Sequence, residues 1–163
     1  MFGRPSRALS VPAAFLVSGA LASGASAAPE DPKARIAPGV YELVASTGKC
    51  LHSDDGDQAM VSVGACDTRW RIEDNDKGYA VKHSVTGNCL APSLAAVFPP
   101  HVATRSCEIS DPVWTVLRTG ADEVTVSLDE GFALLSWMRD YPLTVLVDEE
   151  PAGGGQRWTL RKS

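Results

Sequence analysis

From Val40 onward the apolar positions alternate along the chain and do not follow a helical period. Val124, Val126 and Leu128 fall on one side of an extended segment, with Thr125 and Ser127 on the other, the two-residue period of a half-buried strand. Clusters of turn-forming residues interrupt the alternation: Asp54-Asp55-Gly56-Asp57, Asp74-Asn75-Asp76-Lys77-Gly78, Pro99-Pro100 and Gly153-Gly154-Gly155. No helix interior tolerates such compositions. Beyond the N-terminal segment, no window keeps apolar residues at helical spacing over three turns. The pattern predicts an all-β chain.

Superimposed on the alternation is a longer period. Trp70, Trp114 and Trp158 are spaced by 44 residues and again by 44, in the phrases Trp70-Arg71-Ile72, Trp114-Thr115-Val116 and Trp158-Thr159-Leu160. Upstream of each lies a second echo, Thr47-Gly48-Lys49-Cys50-Leu51, Thr86-Gly87-Asn88-Cys89-Leu90 and Glu130-Gly131-Phe132-Ala133-Leu134. Each unit opens on a strand-like segment: Val40–Val44, Tyr79–His83 and Val124–Leu128. Three landmarks recurring in the same order mark an internal repeat. With about four short strands per unit, twelve strands are expected, in repeats of about 38–77, 78–120 and 121–162. A large ring repeated three-fold at the close of an apolar strand belongs in a shared core, so Trp70, Trp114 and Trp158 are read as structural and not as sugar-stacking platforms.

The first 27 residues have the pattern of an export signal. Arg4 and Arg7 precede an apolar run from Ala8 to Leu21, and Ala25-Ser26-Ala27 supplies a small-residue cleavage site. The run is short and interrupted by Pro12, Ser18 and Gly19, which disfavours a membrane span. A secreted, extracellular protein is expected, with a flexible leader over 28–37, where Pro29 and Pro32 lie, and one domain over 38–163. Loss of Arg4 and Arg7 lowers the 15 Lys and Arg to 13 against 20 Asp and Glu, a net charge of −7. Such a surface disfavours nucleic acid and anionic membranes as partners.

Cys50, Cys66, Cys89 and Cys107 all follow the cleavage site. Outside the cell an even number points to disulfides rather than metal or catalysis. Four cysteines allow three pairings, which the residues alone leave open. Pairing of sequence neighbours would close two short loops, each worth roughly 3 kcal/mol by chain entropy.

Three units of about 44 residues, each with Gly-x-Cys-Leu or its echo and a Gln-x-Trp-like close, resemble the ricin B-type lectin family across 38–162. Gln156-Arg157-Trp158 carries the full closing motif, whereas Thr68-Arg69-Trp70 and Pro112-Val113-Trp114 keep only the Trp. The resemblance implies a β-trefoil, a six-stranded barrel capped by three hairpins. It also implies disulfides inside repeats one and two, Cys50 with Cys66 and Cys89 with Cys107, and a structural role for Gln156. In that family an Asp directly after the Cys-Leu step accepts hydrogen bonds from sugar hydroxyls, and a later ring stacks on the sugar. The matching positions here are His52, Ala91 and Leu135, none of them acidic. Repeat two offers only Phe98 as a ring, between Val97 and Pro99-Pro100.

Repeat three holds the best-furnished ligand candidate, Trp137, Arg139, Asp140 and Tyr141: rings beside a carboxylate and a guanidinium suit a polar ligand with an apolar face. Trp137 and Met138 could instead cover a barrel end where this repeat lacks a disulfide. No metal or cofactor is expected. Asp54-Asp55-Gly56-Asp57 does not match a calcium-loop spacing, and His52, His83 and His101 lack metal-ligand spacing or an adjacent nucleophile. Hydrolase, phosphate-loop and dinucleotide motifs are missing from residues 28–163, so the protein is not expected to be an enzyme. The expectation is a monomeric carbohydrate-binding module acting through repeat three. The alternative is a protease inhibitor presenting a proline-stiffened loop, either Ala91–His101, with Pro92, Pro99 and Pro100, or Arg139–Pro142.

Overall fold

A computed structural model describes residues 35–128, 131–136, 144–148 and 154–163. The expected signal segment, most of the expected leader, and Trp137, Arg139, Asp140 and Tyr141 lie outside the described residues, as does the rest of Arg139–Pro142. Strands β1 (Gly39–Ala45), β2 (Cys50–Ser53), β3 (Val61–Gly64) and β4 (Trp70–Asn75) come first. They are followed by β5 (Gly78–His83), β6 (Cys89–Pro92), β7 (Val102–Arg105) and β8 (Trp114–Arg118), then β9 (Glu123–Leu128), β10 (Phe132–Ser136), β11 (Thr144–Asp148) and β12 (Arg157–Lys162). The described residues contain no α-helix, only a 3-10 turn at Gly154–Gln156.

Six strands close on themselves. β1 pairs with β4, β4 with β5, β5 with β8, β8 with β9, β9 with β12 and β12 with β1, every pair antiparallel. Closure leaves this ring without a free edge. The other strands form three hairpins, β2–β3, β6–β7 and β10–β11. Each hairpin branches from the C-terminal end of β1, β5 or β9, through Val44↔Cys50, Lys82↔Cys89 and Ser127↔Ala133. β3, β7 and β11 lie against one another across that end of the barrel.

Trp70, Trp114 and Trp158 are fully buried, together with Leu43, Leu51, Ile72, Leu90 and Leu134. The indole Nε1 of Trp70 donates to Leu51 O, that of Trp114 to Leu90 O and that of Trp158 to Leu134 O. Each indole therefore ties a barrel strand to a hairpin strand while satisfying its one polar atom. The register places Trp70 opposite His83, Trp114 opposite Leu128 and Trp158 opposite Ala45. Gln156 is buried beside this layer, ahead of Trp158.

Backbone geometry explains the repeated glycine of the second echo. Gly48, Gly87 and Gly131 have φ of +79°, +77° and +79°, in the turns that send the chain from barrel to hairpin. A Cβ carries a steric penalty in that region and glycine does not. The disulfides are Cys50–Cys66 and Cys89–Cys107, so the pairing of sequence neighbours forms.

One end of the domain differs from expectation. Ile36, read as leader, is buried, and its backbone N–H donates to Tyr79 Oη, while Tyr79 Oη–H donates back to Ile36 O. The pairing spans 43 residues, a separation at which no local pattern signals contact.

Candidate functional site

The positions matching the lectin Asp fare differently in the fold. Ala91 is fully buried in β6 and paired with Ala103 of β7, so repeat two presents no polar group there. Leu135 pairs with Val145 between β10 and β11. His52 lies on β2 with a quarter of its side chain exposed, and it is already engaged. Its Nδ1 is 2.7 Å from Asp67 Oδ1 and 3.1 Å from Thr68 Oγ1, and its Nε2 is 3.6 Å from Asp54 Oδ1. The His52 hydrogen bond holds the Asp67 carboxyl below its ordinary value of about 3.8. In place of an acceptor open to sugar hydroxyls, repeat one has an internally bonded cluster.

The acidic turn 54–57 also acts within the fold. Asp57 Oδ1 accepts from Ser106 N, and Gly56 O accepts from Asn88 Nδ2 and Thr104 Oγ1. Asp55 lies 3.6 Å from the Nε2 of His83, a buried ring that meets Trp70 edge-on at 5.7 Å. The turn therefore docks the first hairpin region onto the second. Among the described residues, no three His, Cys, Asp or Glu side chains group as a metal site.

The outstanding surface feature is the loop joining β6 to β7. Leu94, Ala95, Ala96, Val97 and Phe98 are consecutive, apolar and all exposed, Phe98 to 91% and Leu94 to 68%. From His83 to Thr104 the chain carries no Lys, Arg, Asp or Glu. The loop is held at several points. Ser93 N donates to His101 O at its base, Ala95 N to Ser93 Oγ and Val97 N to Ala95 O. Below the base, the β6–β7 ladder runs from Pro92↔Val102 to Cys89↔Arg105 and ends at the Cys89–Cys107 bridge. An exposed apolar pentapeptide on a braced scaffold has the properties of a docking element, because its apolar area is unspent and little freedom remains to be lost. The sequence pointed to this loop through its prolines. Its strongest signal is the charge-free apolar run, which reads equally well as a buried strand until the fold shows it outside.

No protein-family model matches the sequence, and no curated protein is significantly similar to it. Solved structures do resemble the fold. A proteinase inhibitor from Coprinopsis cinerea matches with a TM-score of 0.62 at 15% identity, over 78% of this chain and 99% of that one. The Macrolepiota procera ricin B-like lectin, solved with lactose, matches with a TM-score of 0.64 at 12% identity, over 80% of this chain and all of the lectin. A Culex quinquefasciatus salivary protein of the cysteine- and tryptophan-rich family gives 0.66 at 16%, over 78% of this chain and 95% of that one. At such identities the likeness speaks for architecture alone: the chain has a β-trefoil-like, ricin B-type fold.

Proposed function

We propose that this protein is a secreted, three-repeat β-trefoil binding module that acts through the β6–β7 loop, docking Leu94–Phe98 into the cleft of a protease and blocking it. The observation that carries the reading is the run of five exposed apolar residues on a loop braced by its own hydrogen bonds. Phe98 is the natural anchor, since a large ring filling a partner's pocket concentrates binding energy. Burial of one such side chain contributes about 2 kcal/mol, so Phe98→Ala is expected to weaken binding roughly 10–100-fold. The inhibitor among the structural relatives supports this use of the architecture.

The lectins among those relatives support carbohydrate binding instead, which would fall to Trp137, Arg139, Asp140 and Tyr141 in repeat three. No described residue favours it: Ala91 is buried and His52 is bonded to Asp67. Residual activity of serine and cysteine proteases with micromolar protein tests the proposal, with a glycan array alongside. Inhibition lost in Phe98→Ala supports loop docking. Uninhibited proteases, with or without glycan binding, overturn it.

A further inference from the structure

If the β6–β7 loop enters a protease cleft, the order of its residues determines which kind of pocket it fills. Phe98 is the largest side chain of the run and the most exposed, at 91% against 68% for Leu94 and 43% for Val97. A protease's primary pocket, beside the bond it cuts, selects by charge and size. An acid at its base demands Lys or Arg, an apolar slot takes aromatic rings, and a small one takes only small side chains. The loop offers nothing to an acidic pocket. The nearest cations in sequence are Lys82 and Arg105, at the foot of the hairpin, where both are register partners of Cys89.

The backbone is disposed to match. Ala95 is spent inside the loop: its N–H donates to Ser93 Oγ and its C=O accepts from Val97 N. Ala96 and Phe98, two positions apart, have backbone N–H and C=O groups without a hydrogen-bond partner among the described residues. An extended segment offers alternate residues to a neighbouring edge, so groups at i and i+2 are the ones able to pair with the rim of a cleft. Such pairing sets the Phe98 ring in the pocket next to the scissile position, and the bond at risk is the one to Pro99. A proline nitrogen has no N–H, and its ring crowds the residue before it, so this bond aligns poorly in a site built for secondary amides.

On the strength of that docking, we propose that the loop inhibits endopeptidases that cleave after aromatic residues, with Phe98 in their primary pocket and Pro99 keeping the adjoining bond intact. Hydrolysis there would break the C–N bond after Phe98, adding the hydroxyl of a water to the Phe98 carbonyl carbon and its proton to the Pro99 nitrogen. The Cys89–Cys107 bridge spans this bond, so a cut chain would hold together, heavier by one water, until reduced.

Inhibition of chymotrypsin, trypsin, elastase and papain by the whole protein, read together with the mass of the chain before and after reduction, provides the test. Chymotrypsin is expected to be inhibited more tightly than the others by roughly tenfold or more, because a mismatched pocket leaves its own acid unpaired or the ring outside. Phe98→Lys, at a position exposed enough to leave the fold alone, should reverse the order of chymotrypsin and trypsin. On prolonged incubation with chymotrypsin the bond after Phe98 should stay whole in the parent. Pro99→Ala should instead gain one water and give, on reduction, a fragment ending at Phe98. If no serine or cysteine protease is inhibited, the docking reading falls and this inference with it. If trypsin, elastase or papain is the preferred target, or Phe98→Lys leaves the order unchanged, docking stands and the aromatic pocket is overturned. Cleavage of the parent after Phe98, or an uncut Pro99→Ala chain, overturns Pro99 as the guard of that bond.

Discussion

Single residues in this protein are constrained for different reasons, and these reasons predict different costs. At Gly87 an added Cβ meets nothing within 4 Å, so only the positive φ resists it; Gly87→Ala should cost about 1 kcal/mol. At Gly78 the obstacle is space. A Cβ there would lie 2.6 Å from Trp114 O and 2.9 Å from Val113 Cγ1, at the seam where β5 meets β8 through the pair Tyr79↔Trp114. Either the seam opens or the barrel shifts, at about 2–3 kcal/mol. Urea denaturation should show Gly78→Ala as the more damaging of the two, and the reverse order would refute close approach as the reason for that glycine. Asp67 offers a titration test. Its pKa is lowered in the fold by the His52 hydrogen bond, so the associated stability is complete above about pH 3.8. That stability disappears as pH falls through the lower folded value. In His52→Ala the Asp67 carboxyl should titrate closer to its ordinary value by NMR; an unchanged titration would show that the ring is not the cause.

At the scale of elements, much was legible because alternation and turn chemistry act locally. The openers Val40–Val44, Tyr79–His83 and Val124–Leu128 fall inside β1, β5 and β9, and each Trp phrase falls inside β4, β8 or β12. The glycines of the second echo could be read as a repeat, but their left-handed φ came only with the fold. Non-local contacts left no trace: Ile36 with Tyr79 across 43 residues, or Gly56 O with Thr104 Oγ1 across 48. His83 shows how a repeat misleads, since its register partner is Trp70 whereas Trp158 faces Ala45 and Trp114 faces Leu128. A polar ring thus fills a layer that is apolar in the other two units, held by Thr86 N–H donating to its Nδ1. The candidate sites were less legible than the strands, because exposure depends on the assembled surface. Ala91 and Phe98 are both apolar, only seven residues apart, and end on opposite sides of that surface. The hairpins also differ in their stapling. The Cys89–Cys107 bridge closes 18 residues at the foot of the exposed loop, so Cys89→Ser with Cys107→Ser should cost about 3 kcal/mol on the chain-entropy account. A calorimetric Tm no lower than that of the parent protein would contradict it.

At the scale of the molecule, ring closure depends on the chain's two ends, since β1 and β12 pair over five positions from Tyr41↔Lys162 to Ala45↔Trp158. Glu42 reinforces this seam. Its carboxylate is buried and bonds both Arg161 of β12 and Arg69, which immediately precedes β4. One acid on β1 thereby holds side chains from both flanks of its strand. Loss of one partner from a fully buried pair costs about 3–5 kcal/mol, but both guanidinium groups here retain access to water, so Glu42→Gln should cost about 1–2 kcal/mol. Phe98, exposed on the hairpin loop, shares no partner with this clamp, and Phe98→Ala should change stability by no more than about 0.5 kcal/mol. Loop and seam then act as independent parts: the double variant should unfold with the sum of the two single effects, within about 0.5 kcal/mol. On the proposed function, any protease binding should match that of Phe98→Ala alone. A coupling energy above that margin, or further loss of binding in the double variant, would mean that barrel closure sets the posture of the loop, and the division between a rigid frame and a separate contact surface would have to be abandoned.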